Sequence, residues 1–452
     1  MKPKLIIANR GEIACRVISA ARKLGIATVA VHSEADADAP HVRAADESHC
    51  IGPAPAPQSY LRQDAILEVA RTAGATLLHP GYGFLAENSG FARRCASAGL
   101  TFVGPSPEVI EAMGDKEHAR GLAMRAGVPV ARGSGKLGDD AQAALAAGRE
   151  VGYPLLVKAS AGGGGIGMRL VEAEGDLLKA IAETSSLAER AFGDGAVFLE
   201  HFVRRARHIE VQVFGFGDGR ATHLYDRDCS VQRRHQKIIE EAVSPALDGA
   251  KRAEICAVAQ RLAEECRYQG AGTVEFLFDD ETGEFFFLEM NTRIQVEHPV
   301  TEEITGVDLV AAQIRFALGE DVSAELSAAS LPIGGHAIEA RIYSERPRKK
   351  FLPSPGPLNR FDLPRGEGIR VDTGYAAGQK VTPYYDPMLA KLIAHGADRA
   401  EAIARLDAAL GDTVVEGVET NIDFLRNVLA HEDFRAGRAH TGWLEQVLPD
   451  LV

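Results

Sequence analysis

Apolar residues follow two spacings along the first quarter of the chain. Leu5-Ile6-Ile7-Ala8 is continuous, the mark of a strand buried on both faces. Glu12–Leu24 repeats its apolar residues at three- and four-residue intervals and stops at Gly25, as an amphipathic helix does. The alternation continues with a strand at Thr28–Val31, a helix at Ala65–Ala73 and a strand at Thr76–His79. A helix at Phe91–Ala98 and a strand at Thr101–Val103 complete it. Strands separated by helices of this length predict βαβ units and a parallel, Rossmann-like sheet over residues 1–113.

From Lys116 the order changes. A helix at Lys116–Ala126 and another at Asp139–Val151 precede a strand at Leu155–Lys158 and a glycine run, Gly162–Gly167. Strands follow at Val197–Phe202 and His208–Phe214, then a hairpin across 273–289 and a helix at Leu309–Ala317. Ser323–Ser330 is poor in bulky apolar residues and reads as a linker. The remainder, from Gly335, is strand-rich and ends in helices near 400–410 and 420–430. Three regions agree with a length of 452 residues, and the overall class is α/β.

Charge and composition narrow the function. Fifty Lys and Arg against 63 Asp and Glu leave a net charge of −13, so the chain is a poor general binder of nucleic acid or anionic membrane. An anionic ligand must therefore meet a local basic site. The six cysteines form no CxxC pair, which argues against a zinc cage or disulfide framework and fits a reducing, cytoplasmic setting. No run approaches the roughly 18 apolar residues of a membrane span.

Several clusters carry chemistry. In Lys158-Ala159-Ser160-Ala161-Gly162-Gly163-Gly164-Gly165-Ile166-Gly167 the glycines allow backbone N–H groups to approach phosphate oxygens. The run is not a Walker A loop, because its lysine precedes the glycines; a solvated surface loop is the bland alternative. In the hairpin, a turn centred on Thr282 makes Glu275 and Glu289 cross-strand partners with Cβ atoms roughly 5 Å apart. Two such carboxylates repel unless a cation sits between them. With Asn291 on the same face they form a donor set for Mg²⁺ or Mn²⁺. Extended in register, the same face carries Arg293, Gln295 and Glu297, with Pro299 ending the strand. Arg293 and Gln295 suit a small oxyanion and Glu297 a base. The island Arg227–Lys237 invites an anion in an acidic chain, although solvated charge runs are common. His208 on its strand reads as a structural histidine when taken alone. Lys116 opposes the dipole at a helix start, which a phosphate would explain.

Together the two lysines, the glycine loop and the Glu275/Glu289/Asn291 set resemble the ATP-grasp fold. Within that superfamily Ile7–Ala14, His79–Leu85, Arg227–Lys237, Glu289–Val300, Phe351–Gly356 and Tyr385–Met388 resemble biotin carboxylase, so the likeness covers nearly the whole chain. The resemblance implies an N-terminal domain (1–113), a central ATP-grasp domain (114–320) with a mobile lid at about 131–204, and a β-rich C-terminal domain (335–446). It implies that Lys116, Lys158, His208, Gln232 and His235 bind ATP, that Glu200 and Val203 lie near the adenine, and that Gly163, Gly164, Gly165 and Gly167 belong to the lid loop. Glu275, Glu289 and Asn291 would hold the metal. Lys237, Arg293, Gln295 and Val296 would hold bicarbonate, Glu297 would deprotonate it, and Arg341 would stabilise the biotin enolate. Two departures from the family pattern stand out: Ile166 replaces a basic lid residue, and Tyr343-Ser344-Glu345-Arg346 differs from the commonest version of that segment.

The activity implied is a ligase reaction, ATP-dependent carboxylation of biotin through carboxyphosphate, with ATP, Mg²⁺ or Mn²⁺, bicarbonate and biotin as participants. The Met-Lys-Met tripeptide of biotin carriers does not occur. The expectation is therefore a separate protein that works on a biotin carboxyl carrier protein beside carboxyltransferase subunits, as a homodimer, most simply in acetyl-CoA carboxylase of fatty acid synthesis. A propionyl-, methylcrotonyl- or geranyl-CoA system or a urea-type carboxylase is an alternative acceptor pathway. Another ATP-grasp carboxylate–amine ligase would lack the Arg293/Gln295/Glu297 set and Arg341, and a non-catalytic relative would have lost a metal carboxylate or Glu297.

Overall fold

The N-terminal apolar run forms strand β1 (Lys4–Ile7) in a parallel sheet with β2 (Ala27–Ser33), β3 (Glu47–Gly52), β4 (Leu77–His79) and β5 (Thr101–Phe102), ordered β3-β2-β1-β4-β5. Its continuity has a direct cause. Ile6 and Ala8 pack with Val29, Tyr60 and Phe91 on one face, and Leu5 and Ile7 with Ile13, Val17 and Leu309 on the other. A strand covered on both sides has no solvent face to mark with polar residues. The first helix runs Gly11–Lys23, and Gly25 beyond it takes a left-handed φ of 68°.

A computed structural model describes residues 2–138, 140–160, 167–327 and 331–452. The chain divides into two compact units. The first comprises Met1–Val128, Arg207–Phe276 and Leu288–Val452, the second Pro129–Ala206 and Leu277–Phe287.

The second unit is built on a small antiparallel sheet of β6 (Leu155–Ala159), β7 (Met168–Val171) and β8 (Val197–His201), with β6 in the middle. Its core joins Leu155, Val157, Val171 and Leu199 to Val151 and Leu177 from helices Ala141–Val151 and Leu177–Phe192. Asp140 caps the first of these helices through the N–H groups of Gln142 and Ala143.

A largely antiparallel eight-stranded sheet carries most of the polar residues singled out above. It contains β9 (Ala206–Phe216), β10 (Ala221–Arg233), β11 (Gln236–Ala242), β12 (Gln269–Asp279), β13 (Phe285–Asn291) and β14 (His336–Tyr343). The order is β13-β12-β9-β10-β11-β14, then strands Met388–Gly396 and Ile369–Thr373. Helices Arg399–Asp412, Ile422–Ala430 and Trp443–Leu451 close an apolar core over its C-terminal strands. The sequence pattern places most strands and helices within a few residues. It does not place helices Gly249–Glu265, Leu177–Phe192 and Trp443–Leu451. No helix among the described residues is long and apolar enough to cross a membrane.

Acid stability has a local origin in this sheet. Glu241 on β11 is buried, accepts from Arg399 Nε at 2.6 Å, and lies 2.8 Å from His336 Nε2. Burial alone would raise its carboxyl, but Arg399 and His336 outweigh burial and hold it at about 2. A carboxyl lowered from 4.5 to about 2 adds stability that is complete above pH 4.5 and lost as pH falls through 2. That contribution is about 3 kcal/mol. Urea unfolding followed from pH 5 to pH 2 should steepen in wild type and flatten in Glu241→Gln, and equal slopes would refute this assignment.

Candidate active site

The site grows from one buried lysine. Lys237, near the start of β11, lies beside β10 with Gln232 opposite it. Its Nζ donates to Glu297 Oε1 at 2.8 Å and to Glu275 Oε1 at 3.1 Å, and also contacts Glu210. Desolvation would lower its pKa, yet Glu210, Glu275 and Glu297 hold it well above the ordinary lysine value. Glu210 is raised by burial and lowered more strongly by Lys237 and Arg227, settling at about 2. The centre is thus a cluster of fully charged groups, which is stable when buried only because each charge is paired.

Arg227 supports that cluster from below. It is fully buried and donates to Glu210 Oε2 at 3.1 and 3.0 Å, Gln212 at 2.8 Å, Thr301 at 3.1 Å, Thr273 at 3.0 Å and Gln295 at 2.7 Å. These contacts remove Arg227 itself from the anion-binding island read over Arg227–Lys237. Arg227 is spent on neighbours, and Arg233 pairs with Glu345 at 3.0 Å and stacks 4.0 Å over Phe351. Only Arg234 and His235 are exposed, at a hairpin turn with φ of 50° and 65°. Alternation of charge along a strand cannot distinguish an outward cation from one aimed into a partnered interior.

The segment after Asn291 also departs from expectation. β13 ends at Asn291, and Pro299 lies in the first turn of helix His298–Thr305 instead of terminating a strand. Proline lacks the N–H that a helix start leaves unpaired, so it fits there. Gln295 and Glu297 are nevertheless buried and reach the cluster from a loop. Gln295 Nε2 donates to Glu275 Oε1 at 2.8 Å, and Glu297 Oε2 accepts from Arg341 Nη2 at 3.0 Å. Arg341, on β14, also donates through Nε to Glu240 at 2.6 Å. The Val296 carbonyl accepts from the fully buried Lys391 at 2.6 Å, which pins the loop. Arg293 Nε donates to Glu87 at 2.8 Å and its Nη2 to Asn291 Oδ1 at 2.7 Å.

The hairpin loop, residues 280–284, is centred on Thr282 as expected. His208 Nε2 lies 2.9 Å from Glu275 Oε2. Burial pulls this imidazole down, but Glu275 outweighs it and raises the pKa to about 9. His208 is therefore a cation partnered to a carboxylate. Glu289 is solvent-accessible, yet its carboxyl is raised by its low-dielectric surroundings and then by the charge of Glu275, an effect opposed by His208 and Lys116. That mutual repulsion is what a divalent cation relieves, so Glu275, Glu289 and the Asn291 amide oxygen fit a hard metal ion. The Asn291 amide here turns Nδ2 toward Glu275 at 2.8 Å, and a half-turn would present its oxygen instead.

The structure therefore brings Lys237, His208, Glu275, Asn291, Arg293, Gln295, Glu297 and Arg341 into one network of hydrogen bonds and ion pairs. Lys116 is exposed, but its charge reaches Glu289. Gln232 is buried on β10. In the second unit Lys158 pairs with Glu200 at 2.8 Å, Val203 is buried, and Gly167 has a φ of 82°. Gly163, Gly164 and Gly165, with Ile166, lie outside the described residues. Sequence reasoning misses Glu87, Glu210, Glu240, Arg227's supporting role and Lys391. Lys391 has a legible signal, since it interrupts the apolar strand Met388–Gly396 with a charge that must be paired.

Comparison with known proteins agrees with this architecture. Residues 1–110 match the model "Biotin carboxylase, N-terminal domain", residues 115–325 match "Carbamoyl-phosphate synthase L chain, ATP binding domain", and residues 339–446 match "Biotin carboxylase C-terminal domain". The chain is 52% identical to a biotin carboxylase of Halalkalibacterium halodurans, over 98% of this chain and 97% of that one. It is 50% identical to a subunit of the pyruvate carboxylase of Methanothermobacter thermautotrophicus, over 99% of this chain and 90% of that one. A solved structure of the biotin carboxylase domain dimer of Hydrogenobacter thermophilus 2-oxoglutarate carboxylase, with MgADP, ADP and bicarbonate, aligns at a TM-score of 0.90 and 45% identity, covering 99% of this chain and 98% of that one. A parallel N-terminal sheet, a central ATP-grasp region, a strand-rich C-terminal region and identity of this order along the full length lead to one conclusion: this chain belongs to the biotin carboxylase family of ligases.

Proposed function

We propose that this biotin carboxylase performs the first half-reaction of an acetyl-CoA carboxylase, carboxylating biotin borne by a separate carrier protein, with carboxyltransferase subunits as further partners and a homodimer as its assembly. ATP, Mg²⁺ or Mn²⁺, bicarbonate and biotin would be the participants; the MgADP and bicarbonate of the Hydrogenobacter structure support the nucleotide, the magnesium and the bicarbonate. The division into 1–113, 114–320 with a lid at about 131–204, and 335–446 belongs to the same reading. The observation that carries it is the Glu297 carboxylate, held between Lys237 at 2.8 Å and Arg341 at 3.0 Å. One base between two cations can take a proton from one small anion and stand beside the site of a second.

Glu275, Glu289 and Asn291 would hold the metal, which supplies neutralisation of charge on the phosphoryl oxygens. Lys116, Lys158, His208, Gln232 and His235, with Glu200, Val203 and glycines 163–165 and 167, would bind ATP. Lys237, Arg293, Gln295 and Val296 would orient bicarbonate. Glu297 takes the bicarbonate proton, and the freed oxygen attacks the γ-phosphorus as ADP leaves. Carboxyphosphate then divides into CO₂ and phosphate, phosphate takes the ureido N–H proton, and the enolate beside Arg341 attacks CO₂. Water exclusion protects the intermediate.

A second acceptor pathway is favoured by the 50% identity to the Methanothermobacter pyruvate carboxylase component. The chemistry of this chain would be the same, because the transferase selects the acceptor. Phosphate release from ATP, measured with bicarbonate and with or without free biotin, tests the reading common to both. Biotin should stimulate it several-fold, and no stimulation would overturn the reading. Reconstitution with the partner transferase, assayed against acetyl-CoA and pyruvate, separates the two pathways.

A further inference from the structure

Tyr343-Ser344-Glu345-Arg346 leads into a cationic loop with no part in the chemistry above. Arg348, Lys349 and Lys350 are exposed, and no ion pair neutralises them among the described residues. Arg346, before them, is paired with Glu419 at 2.8 Å, and Glu345 is turned inward to Arg233 at 3.0 Å. The three cations are not on a frayed tail. Pro347–Lys349 forms a 3₁₀ turn, and the Phe351 N–H closes the loop on the Arg346 carbonyl at 2.9 Å. Lys350 and Phe351 take left-handed φ values of 57° and 59°, a conformation unfavourable for side chains of this size. Phe351 anchors them. It is buried, meets Phe424 edge-on at 5.0 Å, and carries the Arg233 guanidinium on its face.

Holding like charges together at a strained turn costs free energy, and here an anchored aromatic enforces it in a chain of net charge −13. The loop has a definite place. It follows β14, which carries Arg341, and Arg233 ties it to the β10–β11 hairpin, which carries Lys237 and exposes Arg234 at its turn. Beside the cations Leu352 is 58% exposed, so the patch offers an apolar contact as well as charge.

We propose that Arg348, Lys349, Lys350 and Arg234 form a docking surface for an acidic stretch of the biotin-bearing partner, next to the strands that hold the reacting groups. The identity of that partner rests on the function proposed above. The surface itself rests on the loop. Charge matching of this kind acts mainly on encounter and specificity and is screened by salt.

The test uses the full chain and two fluorescent peptides, each with one biotinyl-lysine, flanked by glutamates in one and by glutamines in the other. Fluorescence anisotropy at low salt should show the acidic peptide binding at least about tenfold more tightly than the neutral one. The triple variant Arg348→Glu, Lys349→Glu, Lys350→Glu should erase that preference, and the triple Gln variant should reduce it. Both should keep wild-type ATP cleavage with free biotin, which shows that each is folded. Equal binding of the acidic peptide by wild type and variants would overturn the docking surface. So would tighter binding of a phosphatidylglycerol vesicle or an oligonucleotide than of the acidic peptide. Anisotropy needs no turnover, so a missing biotin effect on ATP cleavage would sink the proposed function while leaving the surface to stand or fall on binding.

Discussion

Glu297→Gln is expected to lower kcat for bicarbonate-dependent ATP cleavage by about 10²- to 10⁴-fold, the range for loss of a positioned general base. The substitution is nearly isosteric and removes only the charge and the basic oxygen. Folding should survive it, because each cation at Glu297 keeps another carboxylate: Lys237 retains Glu210 and Glu275, and Arg341 retains Glu240. Thermal unfolding of the variant should therefore stay close to wild type while turnover collapses. A residue that only bound bicarbonate would raise its KM and spare kcat at saturation. Recovery of wild-type kcat at high bicarbonate would remove Glu297 from the role of base.

The second large effect concerns stability. Arg227→Met should cost about 3–5 kcal/mol, the range for breaking a buried ion pair by removing one partner. Methionine can fill part of the volume but leaves Glu210 a buried anion with one cation fewer. It also strips partners from Gln212, Thr273, Thr301 and Gln295. By contrast Arg234→Met, on the exposed turn, should change stability by less than about 0.5 kcal/mol. Urea unfolding at pH 7 distinguishes them. An Arg227→Met protein with a wild-type midpoint and weakened anion binding would restore the view of Arg227 as a ligand for an external anion.

These two residues mark how far the sequence can be read. The run 289–297, proposed above to hold the metal and bicarbonate, is recognisable through its residue types and its likeness to a family, yet its geometry is not. Period-two alternation from Glu289 to Glu297 resembles a strand, whereas the strand stops at Asn291 and a loop delivers Gln295 and Glu297. Gln295 and Glu297 meet the Lys237 cluster for a different reason. Their convergence depends on Lys391, more than ninety residues further along, holding the Val296 carbonyl. The basic island is legible only in part, because a run of cations in sequence says nothing about which of them, here Arg227 and Arg233, are spent on internal partners in space.

Local pattern by itself determined the parallel N-terminal sheet, since continuous apolar strands and amphipathic helices leave few other ways to bury both faces. It also determined the hairpin at Thr282, where turn chemistry is local, and the residue types that identify the family. Tertiary structure alone decided which charges face one another. Lys237 among Glu210, Glu275 and Glu297, Arg341 between Glu240 and Glu297, and Arg227 beneath them are brought together from several strands and from the loop before helix His298–Thr305. The physical reason is that buried charges are stable only as pairs, and the partners are set by strand order in the sheet, which no local periodicity encodes.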